Sequence, residues 1–456
     1  MVDKKGNLKS PDEANYSKID GVHEEIYYSG IIKKIQQSNK KKILIFIHGG
    51  LNGEEAGIER AEELKCAIEA DGYYPLFITW NSGLGSSYWE HLTSVRQGEE
   101  WRTFGPVTSP IYFISDIFSV IANYPKLIIQ QMNTGPSKGT YWDGITEKNA
   151  NRFKEQIEKI NKNNLPSDVK TPEGTLKFPN PPLQAGEDRR GFFSRYIGSP
   201  VVFLVTSPLK LFTTPFVSMG GKNSWAIMER RVTLLFRKSN ELDTRDRESK
   251  DIAAMLYCHD GNPKKYSDCL SNQTPSGALS RFLFHLANSK LNETPYEITL
   301  IAHSMGAIVA NQMIMQSPKI KYKKIVYMGA AASITDFSKS VIPYMEQNKE
   351  TNFYNLMLHP YAESGEKNCF DTFPPRGSLL EWLDDYFTEP RTLLDRRMGK
   401  YFNMIQAIHT INPLVRNRIY LRHFDVGSNS NYPQKHGEFD DKKFQFWKEG
   451  FWYDKK

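Results

Sequence analysis

Short apolar runs recur along the chain, separated by longer segments in which apolar and charged residues follow a helical spacing. Runs of about four to eight β-branched or aromatic residues are typical of strands buried on both faces of a parallel sheet. We predict strands at residues 43–47, 73–80, 298–302, 324–328, 352–359 and 418–424. Helices are predicted at residues 54–70, 225–238, 277–290, from 307 onward and near 444–452. This alternation predicts an α/β fold with a doubly wound, mostly parallel sheet.

Residues 82–222 interrupt the alternation, and a connection of this length is an insertion rather than a loop. The insertion contains two proline-broken apolar stretches, 106–129 and 191–217. We predict that they form short helices of a cap, either packed as the core of that cap or in contact with lipid. The chain then divides into four segments. Residues 1–40 are a polar, partly extended leader, residues 41–81 the first part of the core, residues 82–222 the cap and residues 223–456 the rest of the core. Within the leader, residues 26–32 predict an edge strand or hairpin.

The segment at residues 298–310 carries the clearest chemical motif. A predicted strand ends at Ala302, and a predicted helix begins directly after Gly306. A strand, a tight turn with serine at its apex and a helix form a nucleophile elbow, which requires small residues on both sides of the serine. Ala302 and Gly306 meet that requirement in an A-x-S-x-G pattern. We therefore predict Ser304 as the nucleophile and the backbone N–H of Met305, at the helix N-terminus, as an oxyanion donor.

A second turn, His48-Gly49-Gly50, follows the predicted strand at residues 43–47. Glycines let backbone N–H groups approach an acyl oxygen closely. Gly50 is therefore the predicted second part of the oxyanion hole. The alternative is a plain glycine-rich connection between a strand and a helix.

Composition excludes some classes of function. The net charge of +7 is modest, and Lys and Arg are interleaved with Asp and Glu. This argues against a nucleic-acid surface and is compatible with an anionic membrane surface. The four cysteines lack the spacing of metal ligands. We expect no signal peptide, no membrane-spanning helix and a cytoplasmic location, with membrane association left open.

The order of glycine-rich turn, serine elbow, acid and C-terminal histidine resembles the α/β-hydrolase fold, over residues 43–80 and 223–452. The resemblance implies that His436, between the last predicted strand and the last predicted helix, is the general base. It also implies that Glu363, after the second strand beyond the elbow, is the triad acid. Asp336, one strand earlier, and Asp371 are the alternatives for that role.

Three other histidines lie near the predicted strand ends. His48 and His303 sit beside the two turns and are expected to orient backbone. His423 lies on the last predicted strand and is expected to be structural.

These features predict a serine hydrolase that cleaves carboxylic esters through an acyl-enzyme, with no metal and no organic cofactor. The apolar cap favours an acyl-chain or lipid substrate, as in a lipase or phospholipase, and peripheral membrane contact through the cap. Two alternatives stay open at this point. One is a non-catalytic relative that binds a lipid or a protein, and the other is an amidase or protease of the same fold.

Overall fold

The computed structural model divides the chain into two compact units. The first unit contains residues 1–107, 224–327 and 335–353, and the second contains residues 108–223, 328–334 and 354–456. The structure describes residues 1–3, 5–9, 21–50, 53–93, 95–96, 99–100, 108–119, 121–122, 170–171, 174–175, 199–237, 277–366, 377–388, 390, 392–424 and 431–453.

Six parallel strands form one sheet, which confirms the predicted α/β fold. In chain order they are β1 (Lys42–Ile47), β2 (Tyr73–Ile78), β3 (Glu297–His303), β4 (Tyr322–Met328), β5 (Asn352–Met357) and β6 (Ile419–His423). Their order across the sheet is β2-β1-β3-β4-β5-β6. Two-residue strands, Lys170–Thr171 and Gly174–Thr175, extend the sheet beyond β6.

The central strands of the first unit, β1 and β3, are buried on both faces, as their short, mostly apolar runs predicted. The register between them fixes where the two functional turns begin. Ile47, the last residue of β1, pairs with Ala302 of β3 on one side and with Ile78 of β2 on the other. The turns that follow β1 and β3 therefore leave the sheet side by side.

Helices connect the strands. The longer ones are α1 (Gly21–Gln37), α2 (Glu54–Ala70), α3 (Leu84–Thr93), α4 (Ser199–Phe236), α5 (Ala278–Ala287), α6 (Gly306–Gln316) and α7 (Ile334–Gln347). The shorter ones are α8 (Pro360–Gly365), α9 (Leu379–Trp382), α10 (Tyr401–Ala407), α11 (Pro413–Arg416) and α12 (Glu449–Trp452). Helix α5 illustrates why they form, since Leu279, Phe282, Leu283 and Leu286 are buried at helical spacing.

The predicted edge strand or hairpin at residues 26–32 is wrong, because these residues lie within α1. Tyr28, Ile32 and Ile35 are buried at helical spacing. The Tyr28 hydroxyl donates to the carbonyl oxygen of Ala278 at 2.8 Å. This bond and the apolar contacts hold α1 against α5.

The segment at residues 199–236 also differs from the prediction. Short helices broken at the prolines were expected, followed by a separate helix from residue 225, but α4 runs through all 38 residues. A proline inside a helix removes one backbone hydrogen bond and bends the axis, and it does not have to end the helix. The predicted terminal helix near residues 444–452 is a short turn, Lys442–Phe444, followed by α12.

Part of the first apolar stretch of the insertion is described. Residues 108–119 and 121–122 are helical, and we call them the apolar helical segment. Its exposed side chains include Ile111, Ile114, Phe118 and Ile121, which share one face. In the described parts of the chain, no helix combines the length and apolarity needed to cross a bilayer.

Candidate active site

Ser304 occupies the turn between β3 and α6. Its φ angle is +52°, in the left-handed region that residues other than glycine rarely adopt. The side chain is buried, with 1% of its surface exposed. A serine held in a left-handed turn between a parallel strand and a helix is the backbone geometry that the elbow motif requires.

Gly306 explains why the turn needs a small residue after the serine. A methyl group added there would lie 2.6 Å from the carbonyl oxygen of Ile47 and 2.9 Å from that of His48. Both atoms belong to backbone at the end of β1. Only glycine allows α6 to begin so close to the neighbouring strand.

The His48-Gly49-Gly50 turn lies directly against the elbow. A methyl group added at Gly49 would lie 3.0 Å from the Ser304 Cβ atom, and one added at Gly50 would lie 3.2 Å from the Met305 Cβ atom. The two predicted oxyanion residues, Gly50 and Met305, are thus neighbours in the first unit. Their contact follows from the register of β1 and β3. That register pairs residues about 250 positions apart, and the local sequence pattern did not predict it.

The His48 ring holds this turn. Its Nε2 atom accepts the backbone N–H of Trp80 at 3.2 Å, and its Nδ1 atom lies 2.7 Å from the carbonyl oxygen of Gly49. Because Nε2 is an acceptor, the proton resides on Nδ1 and is donated to Gly49. His48 therefore orients backbone, as predicted, and its neutral tautomer is fixed by the two bonds.

The first turn of α6 provides the electrostatics of the site. The N–H of Ala307 donates to the Ser304 carbonyl at 3.1 Å, so the serine itself enters the helical hydrogen-bond pattern. The first N–H groups of an α-helix have no acceptor within the helix. They give this end a partial positive charge, which favours an anionic oxygen beside Ser304.

His436 belongs to the second unit, in a short helical turn, His436–Glu438, that follows β6. The carboxylate of Glu438 accepts the backbone N–H of Gln434 at 2.8 Å and that of Lys435 at 3.3 Å, which holds the start of the turn. The backbone N–H of His436 donates to the Glu366 carboxylate at 2.9 Å. The His436 residue is buried, with 6% of its surface exposed.

The His436 ring packs on Gly329, the residue that follows β4. A methyl group added at Gly329 would lie 3.0 Å from the ring Cε1 atom and 3.1 Å from Nδ1. Gly329 also has a left-handed φ angle of +50°. A side chain at this position would displace the imidazole, so Gly329 fixes where the ring can lie.

Glu363, the predicted triad acid, also belongs to the second unit and lies in α8. Its carboxylate accepts the hydroxyl of Ser378, and its backbone carbonyl accepts the N–H of Ser378 at 2.8 Å. Burial raises the pKa of the Glu363 carboxyl to about 8. The Ser378 hydrogen bond opposes this rise, the charge of Glu381 adds to it, and Lys400 acts against it.

The two alternative acids lie elsewhere. Asp336 is half-buried in the first turn of α7, in the first unit, where its backbone carbonyl accepts the Ser340 hydroxyl at 2.6 Å. Asp371 lies outside the described residues.

His423, which was expected to be structural, packs edge to face on the rings of His359 and Tyr401. The ring centroids are 5.5 Å and 4.7 Å away.

The predicted site residues thus fall into two groups. Ser304, Gly50 and Met305 meet in the first unit, and His436 and Glu363 belong to the second. Sequence reasoning missed Glu366, which accepts the backbone N–H of His436, and Gly329, which lies against its ring. The position of Gly329 directly after a predicted strand was the only available signal for either.

Among the residues that the structure describes, no group of three histidine, cysteine or acidic side chains is arranged to hold a metal ion. No family model, curated protein or solved structure matches this chain.

Proposed function

We propose that the protein is a serine hydrolase that cleaves carboxylic esters through an acyl-enzyme. The observation that carries this proposal is Ser304, held at a left-handed φ angle between β3 and α6 with the His48-Gly49-Gly50 turn against it. A serine held in this backbone conformation is strained by about 1–3 kcal/mol, and strain of this kind clusters at functional sites. This strain is accounted for if the turn serves to present the Ser304 hydroxyl to a substrate.

In the proposed reaction, Ser304 Oγ attacks the acyl carbon and His436 takes the hydroxyl proton. The backbone N–H groups of Gly50 and Met305 stabilise the oxyanion of the tetrahedral intermediate. His436 then gives its proton to the leaving alcohol, and an acyl-enzyme remains on Ser304. Water activated by His436 releases the acid and restores the enzyme. A carboxylate holds the imidazole in the required tautomer.

The proposed substrate class is an acyl ester with an apolar chain, as in a lipid. The apolar helical segment supports this choice, since Ile111, Ile114, Phe118 and Ile121 expose one continuous face. Asp116 is the only charged residue of the segment, and the chain carries a net charge of +7. Such a face fits the surface of an anionic bilayer, which would place a lipid substrate within reach.

The test is hydrolysis of p-nitrophenyl esters of graded acyl length by the wild type and by Ser304→Ala. We expect Ser304→Ala to lose about 10⁴- to 10⁶-fold in turnover and to lose labelling by a fluorophosphonate probe. Ser317→Ala, at the other end of α6, is the matched control and should react like the wild type. Retained hydrolysis in Ser304→Ala, with an unchanged circular dichroism spectrum, would contradict the proposal. Hydrolysis of amide but not ester substrates would make the protein an amidase.

A further inference from the structure

We infer that Glu366, and not Glu363, is the carboxylate that positions His436. This inference rests on the proposed function, since it assigns the acid of the same triad. It is carried by one contact across 70 residues of sequence, in which Glu366 Oε2 accepts the backbone N–H of His436 at 2.9 Å.

The contact places the Glu366 carboxylate at the backbone nitrogen of the residue that carries the imidazole. In any histidine, Nδ1 is joined to the backbone nitrogen through only Cα, Cβ and Cγ. A carboxylate has two oxygens with about four acceptor sites, so one group can hold both the backbone N–H and the Nδ1–H of the same residue. In the proposed triad the Glu366 carboxylate also accepts the Nδ1–H, and this second bond would fix the ring and its tautomer.

Both partners of the contact are themselves anchored. The backbone carbonyl of Glu366 accepts the N–H of Gly377 at 3.0 Å. On the other side, Glu438 holds the turn that begins at His436, and Gly329 limits where the ring can lie. A positioning group must be fixed before substrate binds, and these contacts meet that condition.

Glu363 has a different environment. Its carboxylate is committed to the Ser378 hydroxyl, and Ser378 Oγ in turn accepts the N–H groups of Leu380 and Glu381 at the start of α9. Burial favours the uncharged form of the Glu363 carboxyl. An uncharged acid does not stabilise an imidazolium ion by its charge. The role that this environment fits is to join α8 to α9.

The experiment compares Glu366→Gln with Glu363→Gln in the full-length protein. The amide oxygen of Gln can still accept the His436 N–H, so the first variant removes the charge while retaining the turn. We expect Glu366→Gln to lose roughly 10⁴-fold in kcat with little change in KM, because the tautomer is no longer enforced. Glu366→Asp, which keeps the charge, should recover part of that loss.

The pH dependence separates a positioning role from a structural one. A carboxylate beside His436 raises the pKa of the imidazole, so its loss should move the acid limb of kcat/KM to lower pH by about one unit or more. The other charged groups on the His436 segment are Lys435, Glu438 and Asp440, and Glu363 is the titratable neighbour of Glu366, whereas Gly329, which lies against the ring, carries no charge. Glu438→Gln therefore serves as the control for a carboxylate that holds the same turn, and should leave the acid limb in place.

The outcomes are distinguishable. A large loss in Glu363→Gln, with Glu366→Gln near the wild type, would overturn the inference and restore Glu363 as the acid. Full activity in both Glu366→Gln and Glu363→Gln would also overturn the inference, and Asp336 would then be the next acid to test. If Ser304→Ala keeps its hydrolysis, the proposed function fails, whichever carboxylate matters.

Discussion

Replacing Gly306 by alanine tests the close approach on which the elbow depends. The added methyl group would lie 2.6 Å from the Ile47 carbonyl oxygen, 2.9 Å from that of His48 and 3.2 Å from the Ile47 carbonyl carbon. All three atoms are backbone atoms, so no side-chain rotation can relieve the clash. The start of α6 must instead move from the end of β1 by about 0.8 Å, the difference between 2.6 Å and the 3.4 Å at which ordinary contact begins.

This displacement should affect stability and reactivity separately. Overpacking a well-packed interior costs about 1–3 kcal/mol, which should lower the urea midpoint of unfolding. The displaced backbone also carries the Ser304 hydroxyl and the N–H of Met305. A shift approaching 1 Å at reacting groups costs up to about 10²-fold in rate, so labelling of Ser304 by a fluorophosphonate probe should slow by about that factor.

Gly220→Ala is the matched control, because a methyl group added there, within α4, meets no atom within 4 Å. It should raise stability by about 0.5–1 kcal/mol through the better helix propensity of alanine, and leave the labelling rate unchanged. The reasoning is refuted if Gly306→Ala labels at the wild-type rate and unfolds at the wild-type urea concentration. That result would mean that β1 and the elbow are not in the contact described.

Three further predictions concern other parts of the chain. Arg231→Met should destabilise the protein by about 3 kcal/mol in urea unfolding, because the largely buried Glu90 carboxylate then loses the partner that lies 2.6 Å away. A change below about 1 kcal/mol would contradict this. The wild type should float with anionic liposomes, and the double variant Ile114→Ser with Phe118→Ser should not; a wild type that stays in the soluble fraction would exclude membrane contact. Since the pKa of Glu363 is raised from 4.5 to about 8, it contributes stability that is present below pH 4.5 and lost as the pH rises through 8. Glu363→Gln should flatten this decline in thermal midpoint, and an equal decline in that variant would refute the assignment.

The strands could be predicted because burial on both faces leaves a direct mark on the sequence. Residues 43–47 are all apolar and residues 298–302 are apolar except for Thr299, and each run lies within an observed strand, β1 or β3. The elbow followed from local chemistry as well, since the small residues around Ser304 are required by the turn itself. These features depend on neighbours within a few positions along the chain.

Helix α1 shows where local patterns mislead. Ile26, Tyr27 and Tyr28 are residue types that favour strands, and they stand in a row. The burial pattern has a different period, because Tyr28, Ile32 and Ile35 are buried while Ile26 is 61% exposed. The side of the segment that is buried is set by α5, about 250 residues later in the sequence, through contacts such as the bond from Tyr28 to Ala278. Tertiary packing outweighs intrinsic preference here.

The triad acid shows the same limit at the candidate site. Glu363 and Glu366 stand three positions apart, and both follow β5, so their place in the chain does not separate them. Their environments differ through distant partners, since the carboxylate of Glu363 accepts a hydroxyl 15 positions away and that of Glu366 accepts a backbone N–H 70 positions away. Burial of Glu363 favours a neutral, structural acid, whereas the contact of Glu366 with the backbone of His436 supports its proposed role as the positioning carboxylate. The serine is therefore a local inference that one substitution can test, whereas the acid is a tertiary inference that requires the two glutamates to be compared.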